Sequence, residues 1–277
     1  MTMFHLKMGL LLYSLALVTL LVILWKISSA ARYWIKYTIF FLVCIMSACL
    51  PIPLMLLKPR DSRNALIPAA GLRASLSFLG LKYTVEGHEN IVKNSGSVIL
   101  INHQSFLDLI ILAYIWPIMP NCTVISKKEI FYLQPFGLAS WLWGTIFIDR
   151  VKPKDAQKAI NKTGETIKTR KARVLMFPEG TRNSGKTLLP FKKGAFHLAV
   201  ASQCPIQPVA VSRYTFLGKN RFDDGHVTMR ILPPISTEGY KNEDIPKLME
   251  ESYKIMSENV DQISASDLQN GTSEKVK

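Results

Sequence analysis

SVILINHQSFLDLIIL, residues 97–112, changes character twice. SVIL is β-branched and uniformly apolar, as a strand buried on both faces must be. LIIL is equally apolar, and with the residues after it forms a run long enough for a helix. Between them lies NHQSFLD, 102–108, with an imidazole and a carboxylate five residues apart. Burying such groups unpaired costs several kcal/mol, so a core would not select them. A strand, a polar turn and a helix in that order make the opening of an α/β unit. In such sheets ligand sites lie beyond the carboxyl ends of the strands.

The same alternation continues outward. YTVEG (83–87), SVILIN (97–102), CTVIS (122–126), TIFID (145–149), RVLMF (173–177), IQPVAV (206–211) and VTMRI (227–231) read as strands. Helical patterns occupy 104–116, 127–142, 153–171 and 191–203, with an amphipathic helix at 245–263. The expected fold class is α/β: a mixed, largely buried β-sheet flanked by helices, with an N-terminal membrane-embedded two-helix region. Residues 62–263 form the folded domain, 1–61 precede it, and the polar stretch 264–277 reads as a disordered tail. No internal repeat is visible.

Residues 8–25, MGLLLYSLALVTLLVILW, carry no charge and sit between Lys7 and Lys26. At 1.5 Å per residue they reach about 27 Å, close to the apolar thickness of a bilayer. Residues 37–57 form a second uncharged run, interrupted by Pro51 and Pro53, which remove donors and kink a helix. The second run can span, re-enter or lie in one leaflet. A cleaved signal peptide ending near 28–30 is the competing reading of the first run. The second run following at once favours two membrane segments. Lys58, Arg60 and Arg63 after the second run favour a cytosolic domain. The sequons at Asn121, Asn161 and Asn270 would then stay bare.

The 277 residues are 48% hydrophobic, more than an ordinary core requires, and carry a net charge of +14. Residues 150–230 hold 17 Lys and Arg against 5 Asp and Glu. A face that basic suits phosphates on a membrane, a small substrate or nucleic acid. Nucleic acid is disfavoured by the membrane runs and the lack of a recognised motif. The four cysteines, Cys44, Cys49, Cys122 and Cys204, lie in apolar or strand-like runs without CxxC or Cys/His metal spacing. Reduced, buried thiols are expected. No GxSxG elbow, P-loop or GxGxxG is present, which disfavours a serine hydrolase, a P-loop NTPase and a dinucleotide enzyme.

Four polar clusters end or bracket the strands: NHQSFLD, GTIFIDR (144–150), FPEGTRN (177–183) and CPIQPVA (204–210). If a helix begins near Ser105, His103 lies in the turn before it and folds back towards Asp108. A carboxylate on one ring nitrogen would fix the tautomer and leave the other as a base. Spacing alone equally allows Asp108 to face solvent and His103 to cap the turn. In FPEGTRN, Gly180 lets backbone approach a ligand, and Arg182 offers a fork of donors to a phosphate. Glu179 can hold Arg182, as a structural pair in a tight turn, or a substrate hydroxyl. Asp149 and Arg150 are as readily an internal ion pair as a phosphate contact. Lys192 and Lys193 read as a solvated helix start close behind that loop.

Taken together, the four clusters resemble the sequence blocks of the 1-acylglycerol-3-phosphate acyltransferases. NHQSFLD is similar to that family's NHxxxxD block, and the other three match its later blocks in order and spacing. The likeness covers nearly the whole chain, including the N-terminal membrane segments. It implies an enzyme that moves an acyl group from acyl-CoA to the sn-2 hydroxyl of lysophosphatidic acid, giving phosphatidic acid. His103 would be the general base and Asp108 its orienting acid. Arg150, Glu179, Gly180, Thr181, Arg182 and Pro205 would bind substrate. Acyl-CoA enters as co-substrate, and neither a cofactor nor a metal is implied. The implied partners are acyl-CoA, lysophosphatidic acid and the lipid bilayer, at the endoplasmic reticulum membrane. Gln207 departs from the family's fourth block, which carries a plain aliphatic there, and this bears on that block's role as an apolar wall.

Overall fold

The computed structural model describes residues 2–148, 163–165 and 167–274. Two long helices come first, α1 (Thr2–Ile27) and α2 (Ser29–Cys49), followed by short α3 (Ile52–Met55), then α4 (Leu66–Ala74) and α5 (Leu76–Leu79). The strands are β1 (Leu81–Glu86), β2 (Ser97–Ile101), β3 (Cys122–Lys127), β4 (Ile146–Ile148), β5 (Arg173–Met176), β6 (Ile206–Val211) and β9 (Gly225–Ile231), with the small hairpin β7 (Leu217–Gly218) and β8 (Arg221–Phe222). The later helices are α6 (Asp108–Ile118), α7 (Phe136–Leu142), α8 (Gly194–Ser202) and α9 (Ile245–Glu274).

Seven strands form one sheet in the order β1-β9-β6-β2-β5-β3-β4. Every pairing is parallel except β6 with β9, which is antiparallel. β2 therefore lies inside the sheet, between β5 and β6, with all five residues buried. Its side chains alternate between two cores. Ile99 and Ile101 join Leu107, Ile110 and Ile111 from the α6 side. Val98 and Leu100 join Phe196 and Leu198 of α8 and Leu248, Met256 and Val260 of α9. The continuous apolar pattern follows from this two-sided cover.

Gln207 is the exception within β6. Its Oε1 accepts from Val92 N at 3.0 Å and its amide donates to the Leu232 carbonyl. An amide bonded through both its oxygen and its nitrogen can be buried at little net cost, so it ties two loops to the sheet there.

Several boundaries differ from the sequence expectation. The second apolar helix begins at Ser29, whose predecessor Ser28 caps it by accepting from Ala31 N. Arg32 and Lys36, which lie between the two uncharged runs of the sequence, are therefore part of α2. Pro51 and Pro53 fall at its end, where α3 begins. The helix expected at 127–142 splits into a 3₁₀ turn, Lys128–Tyr132, and α7, with Pro135 between them. The pattern at 153–171 falls largely outside the described residues; 163–165 and 167–170 are helical. The expected disordered tail from 264 begins instead as the continuation of α9 to Glu274. Ser264 and Asp267 are buried there, and Asp267 accepts from Thr228 N and His226 Nδ1 at 3.0 and 2.8 Å. Local polarity hid those tertiary partners.

Phe4–Ile27 and Ser29–Met55 are each long and apolar enough to cross a membrane. They differ in how they meet the rest of the chain. None of the α1 window is buried, whereas α2 buries Lys36, Phe40, Cys44 and Ala48 at a four-residue spacing. That stripe is one helix face. Lys36 is 2% exposed, and its ammonium lies 2.8 Å from Asp224 Oδ1 and 5.0 Å from the Phe222 ring centroid. An ammonium tolerates such burial only when paired.

Candidate active site

β2, β5 and β6 run parallel, so their carboxyl ends share one edge of the sheet. Asn102 continues β2 where the ladder stops. Its side chain donates to the Val211 carbonyl at 3.0 Å and accepts from Val211 N at 2.8 Å, joining the ends of β2 and β6. The chain then turns sharply, and α6 starts at Asp108 rather than near Ser105. His103 therefore lies in the turn, five residues back, and its ring folds over the helix start.

His103 Nδ1 is 2.6 Å from Asp108 Oδ2. The same oxygen accepts from Gln104 N at 2.7 Å and Ser105 N at 3.1 Å. Oδ1 accepts from the Tyr214 hydroxyl at 2.8 Å. Asp108 is 3% exposed, so the solvent-facing alternative is excluded. These donors replace the water that a buried carboxylate loses. The His103 side chain stays 18% exposed and stacks on Phe177 with centroids 4.0 Å apart. With Nδ1 on the carboxylate, Nε2 is the nitrogen left for a substrate proton.

FPEGTRN follows β5 and closes on the His103 turn. Glu179 Oε1 accepts from His103 N at 2.8 Å, and Oε2 accepts from Leu189 N at 2.9 Å. Asn183 N donates to the His103 carbonyl at 2.8 Å. The catalytic candidate is thus gripped through its backbone from both sides. Glu179 is 2% exposed with both oxygens engaged. The Glu179–Arg182 pair allowed by the sequence does not form, and Glu179 instead braces the two loops. Buried backbone N–H groups need acceptors, and Glu179 satisfies two.

Gly180 has φ +72°, and a Cβ there would meet Lys192 Cδ at 2.8 Å. Only glycine takes that conformation cheaply, so the Lys192 side chain lies across the loop instead of pointing away as a plain helix start. Thr181 and Arg182 are exposed beside it. The Arg182 guanidinium lies 3.6 Å from the Phe106 ring centroid. Phe106 in turn meets Phe41 of α2 at 5.4 Å, and Tyr37 Oη lies 3.5 Å from Ser105 Oγ. One wall of the site is therefore the second apolar helix.

One expected residue, Pro205, is not brought to this edge. Pro205 precedes β6, and its carbonyl accepts from Val98 N at the start of β2. It lies at the opposite end of the parallel strands from His103. Proline at the beginning of a strand is explained by its missing donor. Arg150, with Asp149, lies outside the described residues.

The acyltransferase family profile matches residues 82–212, from β1 to just past β6. The 1-acyl-sn-glycerol-3-phosphate acyltransferase alpha of Homo sapiens is 38% identical over 232 residues, covering 83% of this chain and 81% of the relative. The beta enzyme of Homo sapiens is 33% identical over 261 residues, covering 92% and 93%.

The chain belongs to the 1-acyl-sn-glycerol-3-phosphate acyltransferase family.

The fold of this acyltransferase agrees with a solved relative. The crystal structure of the 1-acyl-sn-glycerophosphate acyltransferase PlsC from Thermotoga maritima superposes with a TM-score of 0.66 at 21% identity, covering 86% of this chain and 98% of that one. In this acyltransferase, Tyr214, Gln104 and Asn102 join the site without a signal in the sequence that named them. Gln104 Nε2 donates to the Ser212 carbonyl at 2.9 Å, and its Oε1 accepts from Tyr214 N at 3.2 Å. Gln104 lies inside the quoted cluster and Tyr214 three residues beyond β6. Both lie near strand ends, a signal that points to the edge without naming the partner. Burial pushes the Tyr214 hydroxyl well above the usual phenol value, and the Asp108 charge and the nearby Tyr83 phenol add to it. The hydroxyl is a donor at neutral pH.

Proposed function

We propose that this chain transfers an acyl group from acyl-CoA to the sn-2 hydroxyl of 1-acylglycerol 3-phosphate. The observation that carries the proposal is the His103–Asp108 pair at the sheet edge, 2.6 Å apart, with the carboxylate buried and the ring partly open. The names of the relatives supply the acceptor; the pair supplies the chemistry.

His103 Nε2 takes the proton of the acceptor hydroxyl as its oxygen attacks the thioester carbonyl. A carbon–oxygen bond forms and the carbon–sulfur bond breaks. The thiolate of CoA leaves and recovers the proton from the imidazolium, giving phosphatidic acid and free CoA. Asp108 holds the ring in the tautomer that keeps Nε2 unprotonated and stabilises the transient imidazolium, as in a hydrolase triad without its serine. Transfer is direct, with no acyl-enzyme. Arg182, aided by the Thr181 hydroxyl, receives the glycerol phosphate. Arg150 is assigned to the same phosphate from the sequence resemblance. The basic region attracts the CoA phosphates and anionic headgroups.

The apolar helices bring the site to a bilayer, and α2 forms one of its walls. The basic residues Lys58, Arg60 and Arg63 after the second helix favour a cytosolic site on the endoplasmic reticulum membrane. Acyl transfer by the detergent-purified chain tests the reading. Oleoyl-CoA is offered with lysophosphatidate, glycerol 3-phosphate or lysophosphatidylcholine in parallel. Phosphatidate from lysophosphatidate alone is expected. Turnover of another acceptor in its place overturns the substrate and keeps the chemistry. A folded protein that turns over none of them sinks the enzymatic reading.

A further inference from the structure

We infer that Tyr214 is a positioning residue for the reaction: its hydroxyl fixes the Asp108 carboxylate that orients His103. The inference rests on the acyl-transfer reading above and extends it to a residue outside the four sequence blocks.

The two oxygens of Asp108 are held unequally. Oδ2 receives the His103 ring and two loop amides, while among the described residues Oδ1 receives only the Tyr214 hydroxyl, at 2.8 Å. Donors on both oxygens fix the plane of the carboxyl group, and with it the direction in which Oδ2 meets Nδ1. The phenol is itself fixed. Tyr214 N donates to Gln104 Oε1, the Gln104 amide returns a bond to Ser212, and the ring packs on Phe216 at 5.5 Å. Tyr214 is 8% exposed, so no bulk water can replace its hydroxyl freely. The loop after β6 and the turn after β2 are locked as one unit.

The hydroxyl also sets the charge that His103 meets. A donor on Oδ1 draws density from the carboxylate and weakens its pull on an imidazolium. Without it the imidazolium is held more tightly, and the base stays protonated to higher pH. The other titratable groups around the pair are Tyr83 from β1, Glu179 from the loop after β5, Arg182 beside Phe106, and Tyr37 from α2. Among them, Tyr83 lies buried next to Tyr214 and makes no hydrogen bond of ordinary geometry. Its phenol lies beside the position of the missing hydroxyl, so the double variant removes it as a substitute.

The test is the pH profile of acyl transfer by the full chain in detergent, for wild type, Tyr214→Phe and Tyr83→Phe/Tyr214→Phe, with His103→Ala as control. Phenylalanine keeps the ring and its packing. Tyr214→Phe is expected to lower kcat roughly tenfold, the scale of a lost buried bond to a charge, with KM little changed. Its acid limb moves to higher pH, and a ¹⁵N-histidine NMR titration moves the His103 midpoint the same way. The double variant loses at least as much. Wild-type rate and pH profile in both variants, with His103→Ala inactive, overturn the role of Tyr214 and leave the base intact. A lower melting temperature with an unshifted acid limb also overturns it, because a packing role alone gives that result. An active His103→Ala overturns the base, and the positioning role with it.

Discussion

His103 and Asp108 meet 2.6 Å apart because α6 begins at Asp108 and not before it. In one helix the two side chains would diverge, since five residues turn through about 500°. The non-helical turn at 103–107 brings the ring back over the carboxylate. If that pair is the catalytic base and its orienting acid, His103→Ala lowers kcat/KM by roughly 10²–10⁴. Retention within threefold would remove the assignment. Asp108→Asn is expected to fall at least as far, because its amide would point a donor at the amides of Gln104 and Ser105.

Arg182 reaches the site from an exposed position, stacked on Phe106. Ground-state phosphate binding there predicts that Arg182→Ala raises KM for lysophosphatidate about tenfold or more, the scale of a lost charged hydrogen bond. Steady-state kinetics separate the cases. A loss confined to kcat would argue against a ground-state phosphate contact.

Glu179 bonds two backbone amides from a buried position. Glu179→Ala strands both donors, and the expected destabilisation is about 2–4 kcal/mol. Glu179→Gln keeps one acceptor and should lie between. Melting in detergent, followed by circular dichroism, orders the three proteins. Equal stability of all three would contradict the brace.

Lys36 and Asp224 join α2 to the hairpin at β8. Asp224 is open to solvent while Lys36 is buried, so the two partners are not equivalent. Asp224→Ala leaves a buried ammonium unpaired, whereas Lys36→Met removes the charge and keeps the volume. The alanine variant is therefore expected to melt lower than the methionine variant. The reverse order would mean that the cation–π contacts with Phe222 and Trp25, not the ion pair, hold α2 in place.

Burial pushes the Cys122 thiol up to about 12. A thiol protonated to that extent is a poor nucleophile at neutral pH, and iodoacetamide should label Cys122 only after unfolding. The linkage has a definite sign. The unfolded thiol ionises near 9.0 and the folded one higher, so this group is neutral towards stability below pH 9. It costs stability as pH rises above that value. Mass spectrometry of the native and denatured chain gives the comparison. Rapid native labelling would contradict the burial.

The strands were legible because their signal is local. Five of the seven sheet strands are parallel and lie between helical layers, so SVILI, RVLM and IQPVAV had to be almost wholly apolar. Gln207 broke the pattern, and only its two bonds across loops explain why it is tolerated. The helix expected at 127–142 was less legible, because Pro135 and the turn around it interrupt a run whose composition alone favours a helix.

By itself the sequence determined the α/β alternation, the two apolar helices and the polar clusters at strand ends. Each is a property of residues adjacent in the chain, where hydrophobic period and backbone restriction act directly. Spacing left the relation of His103 to Asp108 open, and tertiary structure closed it by burying the carboxylate. It also turned Glu179 from a partner of Arg182 into a brace, set Pro205 at the far end of the strands, and brought Tyr214 to Asp108 across 106 residues of chain. Those outcomes depend on which strands become neighbours. Pairing is chosen by the cooperative burial of both sheet faces, and no local segment carries that information.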